Sequence, residues 1–149
     1  MGLIISLIIK NLIVKPSDKT MVHFYQQLGK VFYSIAAVDN AVRKEEIDKL
    51  KQIIQREWLP IETTFDKFGS DSAYQIEIVF DWLVENKWDF EQVLPDFKIF
   101  REEHTHLFTP EINTLISKTA NAIATSFSGK NKAEHVMTSQ LNAILLEQY

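Results

Sequence analysis

Apolar side chains recur every three or four residues along most of this chain, and this spacing limits the fold more than any other feature. Such spacing places the apolar side chains on one face of an α-helix. The stretches that show it are 20–38, 44–58, 72–84, 97–108, 110–127 and 131–145. Because the chain also has only four Gly and four Pro, it lacks the turn residues of an all-β fold. We therefore expect an all-α, single-domain bundle of about six to seven helices joined by short turns.

Residues that favour helix ends divide these stretches. A second helix is expected from about Lys44 to Trp58, with Glu46 at its third position, where a carboxylate can bond to the backbone N–H before the helix. Ser72 and Gln75 form another capping pattern ahead of the next helix. Thr109 is expected to cap a later helix that has Pro110 as its first residue, since proline there loses no helical hydrogen bond.

Length and charge exclude several classes of protein. The 149 residues match one domain of ordinary size. A net charge of -4 gives no overall attraction to a phosphate backbone, so we expect no nucleic-acid partner. Cysteine is absent, which excludes a disulfide framework and a thiolate metal site and fits a cytoplasmic protein.

The first residues have a different character from the rest. The run from Leu3 to Ile9 is almost entirely apolar, but a bilayer span takes roughly 20 such residues. The basic start and the small-residue cleavage site of a secretory signal are also missing. We expect residues 1–19 to form an apolar arm or short helix, and residues 20–149 to form the helical domain, with no membrane span.

The segment from Ile35 to Ile47 resembles the tellurite-resistance TerB family. In that family an Ala-rich helix end is followed by Asp-Gly, then a β-branched residue, then Glu seven residues after the Asp. Here Asp39, Val42 and Glu46 match those positions. Asn40 stands in place of the Gly, and Asn also enters left-handed conformations. The good match covers residues 24–54, about a fifth of the chain, and beyond it only the order of helices agrees.

The resemblance implies a bacterial, all-helical module of accessory or stress-response and signalling type, which is not an enzyme and has no catalytic residues. It also implies an acidic turn that binds a divalent metal. Oxygen ligands from Asp39, Glu45, Glu46 and nearby carbonyls would suit Ca²⁺ or Mg²⁺. Alternatively, Asp39 forms a local turn and Glu46 satisfies N–H groups at the helix start, with no metal.

A faint internal repeat appears when the chain is shifted by 88 residues. The shift aligns Ile35-Ala36 with Ile123-Ala124, and Lys44, Glu46 and Ile53 with Lys132, Glu134 and Leu141. Both copies read as two helices joined by a tight turn, although Phe127 stands where a second Asp would be expected. Duplication and the shared pattern of helical hairpins both remain open as explanations.

Two other groups of residues suggest alternatives. The sequence from Glu103 to His106 contains Glu-x-x-His, the spacing of di-iron bundles. A ferritin-like metal-binding bundle would require Glu102, Glu103 and His106 to point inward. Alternatively, because the sequence has no second Glu-x-x-His, these residues form an exposed helical tip. The aromatic residues Tyr74, Trp82, Trp88 and Phe90 suggest either a binding patch or the closed end of a bundle. Another protein is the expected partner.

Overall fold

Six α-helices occupy the parts of the chain that the computed structural model describes, which are residues 18–38, 42–61, 72–126 and 132–147. A π-helical segment, Ile54–Trp58, continues the second helix, and short 3-10 turns span Ser72–Tyr74 and Thr105–Leu107. The helices are α1 (Asp18–Ala37), α2 (Lys44–Ile53), α3 (Gln75–Asn86), α4 (Val93–Glu103), α5 (Pro110–Thr125) and α6 (Lys132–Leu146). No strand occurs in these ranges, and one hydrophobic core joins the helices. The prediction of an all-α, single-domain bundle is confirmed.

The expected N-terminal arm lies outside the described residues except at its end, where Asp18 and Lys19 begin α1. Within the described ranges, no helix has both the length and the hydropathy that crossing a bilayer requires.

Helix α1 is the centre of the bundle. It contacts α3, α4, α5 and α6, and every residue from Val31 to Ala37 is buried. A helix that is buried on all sides forms the core of a helical protein rather than its surface layer. The sequence pattern predicted a single inward face. The structure buries the whole circumference over residues 31–37, whereas Lys19, His23 and Lys30 in the first part of α1 are exposed.

Gly29 allows α1 and α3 to approach closely. A Cβ atom at position 29 would lie 2.8 Å from the carbonyl oxygen of Ile76 and 2.9 Å from the Cβ of Val79. Both distances are shorter than van der Waals contact, and both atoms belong to or lie next to the α3 backbone. Only glycine fits this crossing without moving the two helices apart.

The ends of the helices agree in part with the sequence. Thr109 Oγ1 accepts a hydrogen bond from the Ile112 N–H at 3.3 Å, and Pro110 is the first residue of α5, as predicted. Helix α3, in contrast, begins at Gln75 after the Ser72–Tyr74 turn, whereas the capping pattern predicted a start directly after Ser72.

The second predicted helix does reach Trp58, but its last five residues are π-helical. Trp58 is fully buried there, and its indole Nε1 donates to Thr119 Oγ1 of α5 at 3.1 Å. Thr119 Oγ1 in turn donates to the carbonyl oxygen of Leu115 at 2.8 Å. This chain of hydrogen bonds joins the second helix to α5 within the core.

Arg101 connects α4 to the end of α6 through hydrogen bonds. Its buried guanidinium donates to the carbonyl oxygens of Leu145 and Glu147 at 2.8 and 2.9 Å, and it lies 5.6 Å from the ring centre of Phe108. The last carbonyls of a helix have no partner within it. A cation at that end also interacts favourably with the helix dipole.

We predict that Gly29→Ala lowers the free energy of unfolding by about 1–3 kcal/mol, because the added methyl group overpacks the α1–α3 contact. Chemical denaturation should show this loss, and Lys30→Ala, which changes an exposed neighbour in the same helix, should stay within about 0.5 kcal/mol of the parent. A Gly29→Ala variant stabilised by about 1 kcal/mol, as helix propensity alone would give, would contradict the close crossing.

Candidate functional site

The predicted metal ligands at the acidic turn have different environments. Asp39 lies outside the described residues, in the 39–41 gap between α1 and α2. Glu45 and Glu46 occupy the first turn of α2, where Glu45 is exposed and Glu46 is fully buried. The difference arises because successive residues of a helix point about 100° apart.

Glu46 acts on the start of its own helix. Its Oε1 accepts a hydrogen bond from the backbone N–H of Arg43 at 2.9 Å, and the Arg43 Nη1 lies 3.8 Å from the same oxygen. The first N–H groups of a helix have no partner within the helix, and a carboxylate at this end is also favoured by the helix dipole. The structure thus places Glu46 in the capping arrangement that its position in the sequence suggested.

This arrangement is poorly suited to an ion ligand. A buried carboxylate that already accepts from an N–H and lies near a guanidinium has its charge offset by the protein itself. Across the described ranges, no three His or acidic residues come together as a group that could hold a metal ion. Asp39 lies outside these ranges, so the predicted cation site at Asp39, Glu45 and Glu46 stays a prediction.

A second buried carboxylate occupies the matching place in the other hairpin. Glu134 is the third residue of α6, as Glu46 is the third residue of α2. Only 2% of the surface of Glu134 is exposed. Glu46 and Glu134 are the only acidic residues that are buried within the described ranges.

The 88-residue shift also aligns the buried faces of the two preceding helices. Six aligned pairs in α1 and α5 are buried in both copies: Phe24 and Ile112, Leu28 and Ile116, Val31 and Thr119, Phe32 and Ala120, Ile35 and Ile123, Ala36 and Ala124. The faint repeat in the sequence thus corresponds to two helical hairpins that bury the same positions.

The ferritin-like alternative does not agree with the observed side chains. Glu102, Glu103 and His106 are all exposed, whereas a di-iron site would need them to face the interior. His104 stacks on Phe100 with 4.2 Å between ring centres. The exposed positions of Glu102, Glu103 and His106 exclude a di-iron site built from these side chains.

An exposed aromatic surface lies on the outer side of α3. Ile78, Trp82 and Trp88 expose 55%, 51% and 52% of their surface, and the two indole rings lie 5.6 Å apart between centres. Ile78 and Trp82 are four residues apart on the helix, so they share one face. We call these three residues the tryptophan face.

The tryptophan face differs from the patch expected from the sequence. Tyr74 and Phe90 are partly buried and pack against the core, so they do not belong to it. Ile78, which sequence reasoning missed, takes their place. Its position four residues before Trp82, on the side of α3 opposite Ile76 and Phe80, is the signal that would have identified it.

The backbone holds Trp88 in place. Its N–H donates to the carbonyl oxygen of Leu83 at 3.3 Å, and Lys87 before it adopts the left-handed conformation with φ 48°. These features form a Schellman motif at the end of α3. The Tyr33 hydroxyl on α1 donates to the Trp88 carbonyl oxygen at 2.7 Å.

Tyr33 is a stable donor in this contact. Burial, and to a lesser extent the negative charge of Asp89, raise the pKa of the Tyr33 hydroxyl above its ordinary value. The hydroxyl therefore keeps its proton at neutral pH and above.

A cavity of about 470 Å³ lies beside Trp88. Its lining includes Tyr33 and Val84, as well as Ala37 and Val42, which flank the acidic turn in the sequence.

No protein-family model matches this chain, and no match was found among curated proteins or among solved structures. The resemblance of residues 24–54 to the TerB family therefore stays a prediction.

We predict that Glu46→Ala lowers the free energy of unfolding by about 1–3 kcal/mol, because the partly buried Arg43 N–H loses its acceptor and the fully buried Glu46 side chain leaves a gap. Glu45→Ala removes the same charge from the same helical turn, so it is the matched control. It should cost about 0.3–1 kcal/mol through the helix dipole alone. Equal losses in the two variants by urea denaturation would refute the capping role of Glu46.

Proposed function

We propose that this chain is a non-catalytic, TerB-like helical module of the bacterial cytoplasm, which binds another protein in an accessory, stress-response or signalling role. The observation that supports binding is the tryptophan face, Ile78, Trp82 and Trp88. The TerB assignment rests on the resemblance of the Asp39 to Glu46 turn.

The physical argument concerns the cost of exposing these side chains. Burying apolar surface stabilises a protein by about 25 cal/mol per Å². The three large side chains of the tryptophan face are half exposed, so a partner that covered them would gain this free energy. Tryptophan is enriched among the residues that contribute most to protein–protein binding. The other exposed large apolar residues described, Ile99, Val136 and Leu146, lie on α4 and α6.

We predict that a photoreactive amino acid at position 82 forms discrete cross-links to a partner protein in cells, whereas the same residue at position 99 does not. Both sites are about half exposed and apolar in a helix, so the comparison controls for exposure. Mass spectrometry would identify the adducts. Cross-links of equal yield at both positions, or none at position 82, would count against this function.

The cation implied by the family is tested separately. Because Glu46 caps α2, replacing it would lower stability whether or not an ion binds, so the informative variant is Asp39→Asn with Glu45→Gln. If Ca²⁺ or Mg²⁺ binds at the turn, metal-stripped protein should gain about 2.7 kcal/mol at a hundred times Kd. Thermal unfolding would show this as a rise of several degrees.

The variant should lose that rise while keeping the parent's melting temperature without ions. A melting temperature that no divalent cation changes would leave the turn with its capping role alone. That outcome would not affect the proposal of protein binding, which depends on Ile78, Trp82 and Trp88.

A further inference from the structure

We infer that the tryptophan face binds a segment of the partner protein that carries arginine or lysine, with the cationic side chains placed against Trp82 and Trp88. This inference rests on the proposed function, and it adds the chemical class of the partner. The observations that carry it are the charges around the face, the arrangement of the two rings and the rigidity of the loop.

Carboxylates surround the tryptophan face. Asp81 and Glu85 flank Trp82 along α3, and Asp89 follows Trp88 in the loop; Lys87 is the one basic residue between residues 78 and 91. Asp81 shares Lys51 with Glu77, at 3.9 and 3.5 Å. Neither Glu85 nor Asp89 forms an ion pair with any described residue. Asp89 Oδ1 accepts a hydrogen bond from the Glu91 N–H at 3.0 Å, but the negative charges of both carboxylates have no cationic partner in the described part of the chain.

The two indole rings are tilted against each other, and each residue keeps about half of its surface exposed. Their planes meet at 53° with 5.6 Å between centres, so they are not stacked. A cation within about 6 Å of a ring centre is attracted by the negative face of the ring, and tryptophan is the best such partner. Arginine suits this surface best, because its planar, weakly hydrated guanidinium stacks on aromatic rings and also pairs with carboxylates.

Hydrogen bonds hold the backbone that carries the two tryptophans. The Schellman motif and the Tyr33 hydroxyl fix the backbone of Trp88 from two directions, and Asn86 Nδ2 donates to the Trp82 carbonyl oxygen at 2.8 Å. Binding to a rigid surface loses less conformational entropy than binding to a mobile loop. A short basic segment can therefore bind here without refolding the module.

The test uses the full chain and two labelled peptides of equal length. One peptide alternates arginine with leucine and alanine, and the other has citrulline, which is uncharged and of nearly the same shape, in place of each arginine. Fluorescence anisotropy would measure their affinities at low and at raised salt. We expect the arginine peptide to bind at least about tenfold more tightly than the citrulline peptide, with affinity falling as salt screens the charges.

Four variants locate the binding. Trp82→Ala and Trp88→Ala should each weaken binding of the arginine peptide by about tenfold, as expected for central residues of an interface. Glu85→Gln with Asp89→Asn should weaken it several-fold. The matched control is Glu102→Gln with Glu103→Gln, which removes the same charge at the far end of α4, about 15 Å along that helix from its start, and should leave binding unchanged.

Each outcome decides the inference. Loss of binding in the tryptophan and Glu85/Asp89 variants, with the control intact, supports it. Equal binding of the two peptides through Trp82 and Trp88 overturns the cationic partner while leaving the face as a protein-binding surface. If both charge variants weaken binding of the arginine peptide equally, the peptide responds only to the net charge of the chain, and the inference is overturned as well. If neither peptide binds, the cationic partner is wrong, and the cross-linking at position 82 still decides the proposed function on its own.

Discussion

The close crossing of α1 and α3 at Gly29 is the contact on which the rest of the molecule depends. The absence of a side chain at this position lets the two backbones approach until a methyl group would clash with Ile76 and Val79. Helix α3 therefore packs against α1 with the side that carries Ile76 and Phe80. The opposite side of α3, with Ile78 and Trp82, must then face outward. One glycine in the core thus orients the candidate binding surface.

Three buried polar side chains of this bundle complete the hydrogen bonding of helix ends or of another buried side chain. Glu46 accepts from the N–H that precedes α2, Arg101 donates to carbonyls at the end of α6, and Thr119 accepts from the Trp58 indole. A polar group left unpaired in the interior costs about 1–3 kcal/mol, so each of these contacts favours one arrangement of the helices. The same logic explains Tyr33, whose hydroxyl ties α1 to the loop that carries Trp88.

The α1–α2 and α5–α6 hairpins share a pattern of buried residues but lie in different surroundings. Helices α1 and α5 bury the same six aligned positions, and Glu46 and Glu134 are buried alike. However, α1 is buried on all sides over residues 31–37, which include Tyr33 and Ser34. The aligned residues in α5 are less buried, since Asn121 is exposed and Ala122 is partly exposed. The difference follows from position, since α1 lies in the middle of the bundle and α5 keeps one side at the surface.

The sequence by itself determined the helical class, the cap of α5 by Thr109 and Pro110, and the capping position of Glu46, because each depends on residues within one or two turns of each other. Only the tertiary structure decided that the second helix is π-helical over Ile54–Trp58, and that Ile78 joins Trp82 and Trp88 while Tyr74 and Phe90 do not. Those outcomes depend on which helix packs on which. A periodic pattern shows that a helix has an apolar side, but the neighbours it meets are set by contacts between residues far apart in the chain, such as Gly29 with Val79 and Tyr33 with Trp88.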